Sequence, residues 1–446
     1  MFRRLSPLFA IAFVLLPLGL RADGFIYIPG GAGEGQVEDA KVQGKVEQAK
    51  EAEEQLQPRI QIALLLDSSS SMSGLISQAQ GQLWKIVNEF ALAKRGGKPA
   101  DVTVALYEYG KNTLPADDRY IRKILPLTTD LDKASEESFA LKANTISGGD
   151  EWCGAVIQAA VNGLAWSPSP DDLKVIFVAG NEPFTNGPVN YRVACKEAIT
   201  KGIVVNTIHC GPYETGVSQG WKDGARFADG AYSAIDQNRT VTHIGAPQDK
   251  EIIRLGVEVN KTYVPFGSSA EVGSDRQAQQ DRNAERVGRG TATQRANSKA
   301  SSLYRNATWD LVDAIKEGKV KLENLKKEQL PKELRELSLE ERKGYLDKKA
   351  KQRATIQAKI RDLNVVRERY VRELKSKLSS PKGEAAGRTL DEAVIDALRN
   401  QARKKGIQIP EPSKEVPGKQ APKKDVQSDP KSVKDVKKDE QNTKGE

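Results

Sequence analysis

An apolar run, Ile62-Ala63-Leu64-Leu65-Leu66, leads straight into Asp67-Ser68-Ser69-Ser70-Ser71-Met72, and a long helical pattern begins near Leu75. An uninterrupted apolar segment of that length is what a strand buried on both faces of a parallel sheet requires. The chain therefore has a strand that ends in a cluster of oxygen-bearing side chains and turns into a helix. The ends of such strands are where open α/β sheets gather their sites. Asp67, Ser69 and Ser71 alternate, so their side chains can converge as the backbone curls. A set of this kind suits a hard divalent cation. The competing reading is a serine-rich turn that caps the following helix.

The pattern around this run alternates strand and helix from Arg59 to Gly267. Strands are expected at Arg59–Asp67, Asp101–Tyr109, Tyr120–Leu127, Leu173–Ala179, Ile203–His209 and Tyr232–Ile235. Helices are expected at Leu75–Ala93, Lys133–Ala143, Trp152–Leu164, Val189–Lys201, Trp221–Ala228 and Lys250–Val259, the last closing the domain. The order predicts an α/β fold, a doubly wound and mostly parallel sheet with helices on both faces. Residues 268–302 are rich in Gln, Asn, Arg and Gly and read as a flexible linker. Residues 303–407 read as a helical region with a sparse apolar stripe and no sustained heptad, suited to carrying the head or to self-association. Residues 408–446 repeat Lys, Asp and Pro and read as a disordered charged tail.

At Asp67-x-Ser69-x-Ser71 the chain resembles the von Willebrand factor type A domain and its metal-ion-dependent adhesion site. The resemblance covers roughly Arg59 to Gly267 and implies a sheet of about six strands with Mg2+ as the usual ion, Ca2+ or Mn2+ being alternatives. It implies that Ser69 and Ser71 touch the ion and that Asp67 acts through water. The other family positions match imperfectly. The expected threonine falls in the loop Ser147-Gly148-Gly149-Asp150-Glu151-Trp152-Cys153, where Asp150 aligns with it and Thr145 is a substitute. The expected last aspartate falls at Gly180, leaving Asn181 or Glu182 to take its role. Asp150 either binds directly, adding a charge that weakens attraction for a partner's carboxylate, or replaces the charge missing at Gly180 through water. A third reading is a degenerate head without an ion. Trp152 and Phe184, on neighbouring loops, are candidates for an apolar rim that meets a partner.

The ends of the chain set the expected location. Arg3 and Arg4 precede an apolar stretch from Leu8 to Leu20, and Ala22 suits a cleavage site, so residues 1–22 read as a signal peptide and 23–58 as a linker. This predicts a periplasmic or secreted protein with no membrane span after cleavage. Three cysteines rule out a disulfide-stapled scaffold. Cys195 and Cys210 either form one bridge or stay as buried thiols beside Cys153. Two histidines rule out a histidine-rich metal site, and His209 reads as a core or supporting residue. Between Arg289 and Ile407 there are 30 basic and 17 acidic side chains, a balance that fits a solvated helical face better than an anion-binding arm. Nucleic-acid binding is disfavoured, because the basic excess lacks interleaved aromatics. The favoured function is divalent-metal-dependent binding of a protein or cell-envelope partner. The alternatives are a metal-assisted hydrolase or its accessory subunit, and a helix-mediated assembly protein with an empty head. No complete catalytic constellation is legible, so a non-enzyme is favoured.

Overall fold

Strand β1 (Arg59–Asp67) lies at the centre of a six-stranded sheet, hydrogen-bonded in parallel to β4 (Asp101–Tyr109) on one side and β6 (Leu173–Gly180) on the other. The computed structural model describes residues 57–146, 148–239, 243–378 and 388–410. The expected signal peptide, almost all of the first linker and most of the charged tail lie outside the described residues. Beyond β6 come β7 (Ile203–Cys210) and β8 (Tyr232–Ile235), both parallel, while β5 (Ile121–Thr128) pairs antiparallel with β4 at the other edge. A small hairpin, β2 (Lys94–Arg95) and β3 (Lys98–Pro99), lies between β1 and β4 in sequence.

Alternate strand residues feed two cores, as the pleat demands. Ala63, Leu65, Ala105, Tyr107, Ile176 and Val178 face α3 (Cys153–Gly163), α4 (Tyr191–Thr200) and α6 (Trp221–Phe227), and the short α5 (Tyr213–Ser218) precedes α6. Ile60, Ile62, Leu64, Leu66, Val104, Val175 and Phe177 face α1 (Ser73–Phe90), α2 (Leu131–Ala140) and α7 (Asp249–Glu258). The expected sheet and its helical layers are thus in place.

The domain does not close at α7. Residues expected to form a flexible linker are instead two helices, α8 (Ala270–Val287) and α9 (Arg289–Lys299). Their cement is polar, which hid them from an apolar-periodicity reading. Arg295 is buried between Asp132 and Asp281 and lies over the Trp84 ring at 4.5 Å. The buried Lys299 ammonium reaches Asp281 at 2.7 Å. A satellite core built on Val264, Phe266, Leu311, Leu330, Leu334 and Leu346 follows, with α10 (Leu311–Lys316) and α11 (Lys332–Arg335) around it.

The 40-residue α12 (Leu339–Leu378) is not a free arm. Its Ile356 and Ile360 belong to the main core. Its Arg353 is buried against Asp310 and Asp313, each at 2.8 Å, and over the Tyr263 ring at 3.9 Å. Its Arg367 pairs with buried Asp249 at 2.7 Å. The stripe residues Leu346, Ile356 and Ile360, which suggested self-association, are therefore buried within the chain's own cores, while Val365, Val366 and Tyr370 of the same helix stay exposed.

The last helix, α13 (Leu390–Lys404), returns to the sheet. Leu390, Val394, Leu398 and Ile407 join the core beneath α1. Asn206, a buried polar residue of β7, exchanges carboxamide hydrogen bonds with Gln401 at 3.2 and 2.6 Å. Without Gln401 the Asn206 Oδ1 would keep the Ala231 N–H, but the Asn206 N–H would lose its acceptor in the core, at a cost. Arg388 extends β8 through a parallel bridge to Ile235, and Gln408 pairs with Lys94 of the hairpin. The main core is thus built from residues on both sides of position 267, and a boundary there cuts through it. Among the described residues no helix is long and apolar enough to cross a membrane.

Candidate functional site

Asp67 is the last residue of β1 and is fully buried, because β4 and β6 flank it at the carboxyl edge of the sheet. The loop after it is pinned by backbone. The Ser68 N–H donates to the Tyr109 carbonyl at 2.9 Å, and the Asn144 N–H donates to the Ser68 carbonyl at 2.8 Å. The Ser68 hydroxyl donates to the buried Glu108 carboxylate at 3.1 Å, and Glu108 is paired in turn with Arg122. With Ser68 so fixed, Ser69 and Ser71 turn to the other side of the loop. The Ser69 N–H donates to Asp67 Oδ1 at 2.8 Å, the Ser69 and Ser71 hydroxyls lie 3.2 Å apart, and the Ser71 hydroxyl donates to Asn181 Oδ1 at 3.4 Å.

The carboxylate that meets Asp67 is Glu151, not Asp150. Gly148 and Gly149 take φ values of +123° and +96°, and a Cβ on Gly149 would lie 2.7 Å from the Gly110 carbonyl oxygen. That left-handed, tightly seated turn requires glycine. It leaves Asp150 and Thr145 exposed and turns Glu151 inward. Gly110 makes the room, since a Cβ there would meet Glu151 Cγ at 2.5 Å and Asp67 Oδ1 at 3.1 Å.

At the end of β6, a Cβ on Gly180 would lie 2.5 Å from the Tyr109 hydroxyl and 3.0 Å from Asp67 Oδ2. A carboxylate side chain at 180 has no space unless its neighbours move, which explains the glycine. Asn181 takes the position beside Ser71, and Glu182 is exposed at the rim.

Asp67 Oδ2 and Glu151 Oε2 are buried without a hydrogen-bond donor among the described residues. Burial raises the pKa of both groups, and their mutual repulsion and the Glu182 charge act in the same direction on Glu151, which reaches about 9. Two facing carboxyls need either a shared proton or a cation between them. Among the described residues no group of three or more His, Cys, Asp or Glu side chains is placed to hold a metal ion. The donors gathered here are two carboxylates with neutral hydroxyl and carboxamide oxygens, a set that fits an oxygen-preferring cation.

The two residues expected at a rim lie in different surroundings. Trp152 is half-buried at the edge of the loop and meets Tyr120 edge-on at 6.1 Å. Phe184 is fully buried against Trp221 at 4.9 Å and Tyr191 at 5.3 Å, so it is core and cannot meet a partner. An exposed apolar residue that the sequence reading passed over is Ile146, 68 % exposed, in the loop bonded to Ser68. His209 is buried beside Trp221, its pKa lowered by burial and neither ring nitrogen hydrogen-bonded among the described residues, a neutral imidazole in the core. The three cysteines are free and buried. Cys195 belongs to one core and Cys210 to the other, on opposite faces of the sheet, so the bridge between them is not formed.

No protein-family model matches the chain, and no curated protein matches it. Solved structures similar to part of it include the conserved hypothetical protein BatB from Bacteroides thetaiotaomicron, at 18% identity and a TM-score of 0.31, covering 40% of this chain and 90% of that one. The SpRpn10 VWA domain is similar at 17% identity and a TM-score of 0.29, over 39% of this chain and 85% of that one. An aerotolerance-related membrane protein from Bacteroides fragilis is similar at 16% identity and a TM-score of 0.27, over 40% and 93%.

Proposed function

We propose that the carboxyl edge of the sheet binds a divalent cation, Mg2+ in the first place with Mn2+ or Ca2+ as substitutes, and engages a protein partner through it. Asp67 and Glu151 would hold the ion with Ser69, Ser71 and Asn181, and Glu182 stands beside them. The observation that carries this reading is the pair of buried carboxyls whose outer oxygens lack donors, set against two hydroxyls and a carboxamide. When bound, the ion supplies an open coordination position to an oxygen of the partner. Ile146 and Trp152 would line the approach. An exported setting is part of the proposal and rests on the pattern from Arg3 to Ala22.

Calorimetric titration of Mg2+, Mn2+ and Ca2+ into the metal-stripped full chain tests it. The expected result is one saturable site, lost in Asp67→Ala and in Glu151→Ala and kept in Asp150→Ala. Binding that survives Glu151→Ala but not Asp150→Ala overturns the donor set. No binding by the folded chain overturns the reading.

A further inference from the structure

This inference rests on the cation site just proposed and concerns what kind of partner it admits. We infer that the partner presents a neutral oxygen, a backbone carbonyl or carboxamide, and that the site rejects carboxylates.

The argument is one of charge. Asp67 and Glu151 together carry two negative charges and meet the two positive charges of the ion. Glu182, exposed and next in the chain to the donor Asn181, adds a third negative charge at the same edge. Lys111 and Arg122 of the same edge are drawn to Glu108. The remaining donors, Ser69, Ser71 and Asn181, are neutral. A carboxylate that arrived as the last ligand would find an ion already neutralised and would face Glu182 across a partly dry edge, where like charges repel strongly. A carbonyl oxygen carries no such penalty. The adjoining loops agree, since Ile146 follows Asn144, which is bonded to Ser68, and Trp152 follows Glu151, and both keep apolar surface exposed. Electrostatic exclusion of this kind is a common source of specificity.

The test uses the full chain loaded with Mn2+ and follows water-proton relaxivity while sodium acetate is added, with protein in excess over metal. The expected result is that acetate leaves the wild-type signal unchanged. In Glu182→Gln, which leaves every proposed donor in place, it should displace inner-sphere water at a concentration clearly below any effect on wild type. Glu182→Lys, which reverses the charge of the same exposed side chain, should shift the response further in the same direction. Acetate acting on wild type at the concentration that acts on Glu182→Gln overturns the inference, as does an unaltered response in both variants. Failure of wild type to hold Mn2+ at all is a different result: it removes the cation site, and the inference with it.

Discussion

Glu151 shows how much one residue decides here. Its carboxyl is forced beside Asp67, and burial and like charge lift its pKa from 4.5 to about 9. A carboxyl raised in the folded state favours folding below its unfolded pKa, and that contribution is lost as pH rises through the folded value. The metal-free protein should therefore lose stability between about pH 4.5 and 9. Glu151→Gln should flatten that slope and stabilise the metal-free form near pH 7 by about 1–2 kcal/mol, allowing for solvent screening. Thermal unfolding in a chelator across this range checks it, and an unchanged slope in the variant refutes it. Half of this residue's story was readable beforehand. The alternation of Asp67, Ser69 and Ser71 marked the loop, but register within Gly148-Gly149-Asp150-Glu151 depends on two left-handed backbone conformations that no spacing reveals. Phe184 is hidden from the sequence for a related reason: a loop position says nothing of whether the ring turns inward, and here Trp221 and Tyr191 receive it.

Among the elements, α13 is the one whose role its sequence hides. Its amphipathic pattern marks a helix but not the surface it covers. That surface is the stretch of sheet around Asn206, about 195 positions away in the chain. Gln401→Ala should cost about 1–3 kcal/mol, because it leaves the Asn206 N–H buried without an acceptor. Leu398→Ala, at a fully buried position, should cost about 2–5 kcal/mol. Chemical denaturation reads both. A fragment of residues 57–267 should lack a cooperative transition where residues 57–410 show one. Cooperative unfolding of the shorter piece would show that α13 is dispensable. The helices α8 and α9 are masked in the sequence for the opposite reason. Their buried faces carry Gln277, Gln280, Arg295 and Lys299, which read as solvent-facing until Asp132 and Asp281 are placed beside them.

At the scale of the whole molecule, the sheet and the described helical region pack as one body rather than as a head on a stalk. Arg353 joins α12 to Asp310, Asp313 and the Thr262 carbonyl, and Arg367 joins it to Asp249. Arg353→Ala should cost about 3–5 kcal/mol by leaving buried Asp310 without its cation. Calorimetry should show one unfolding transition for residues 57–410, and two well-separated transitions would contradict this account. The position of α13 also governs the order of events at the ribosome. Synthesis runs from the first residue onward, so β1 to β8 leave the exit tunnel long before Leu390 does. Until then the apolar face over β6, β7 and β8 has no cover. The nascent chain must hold that face open through the whole of α8 to α12, and any product truncated before α13 is born with an unsealed sheet, a ready client for chaperones and proteases.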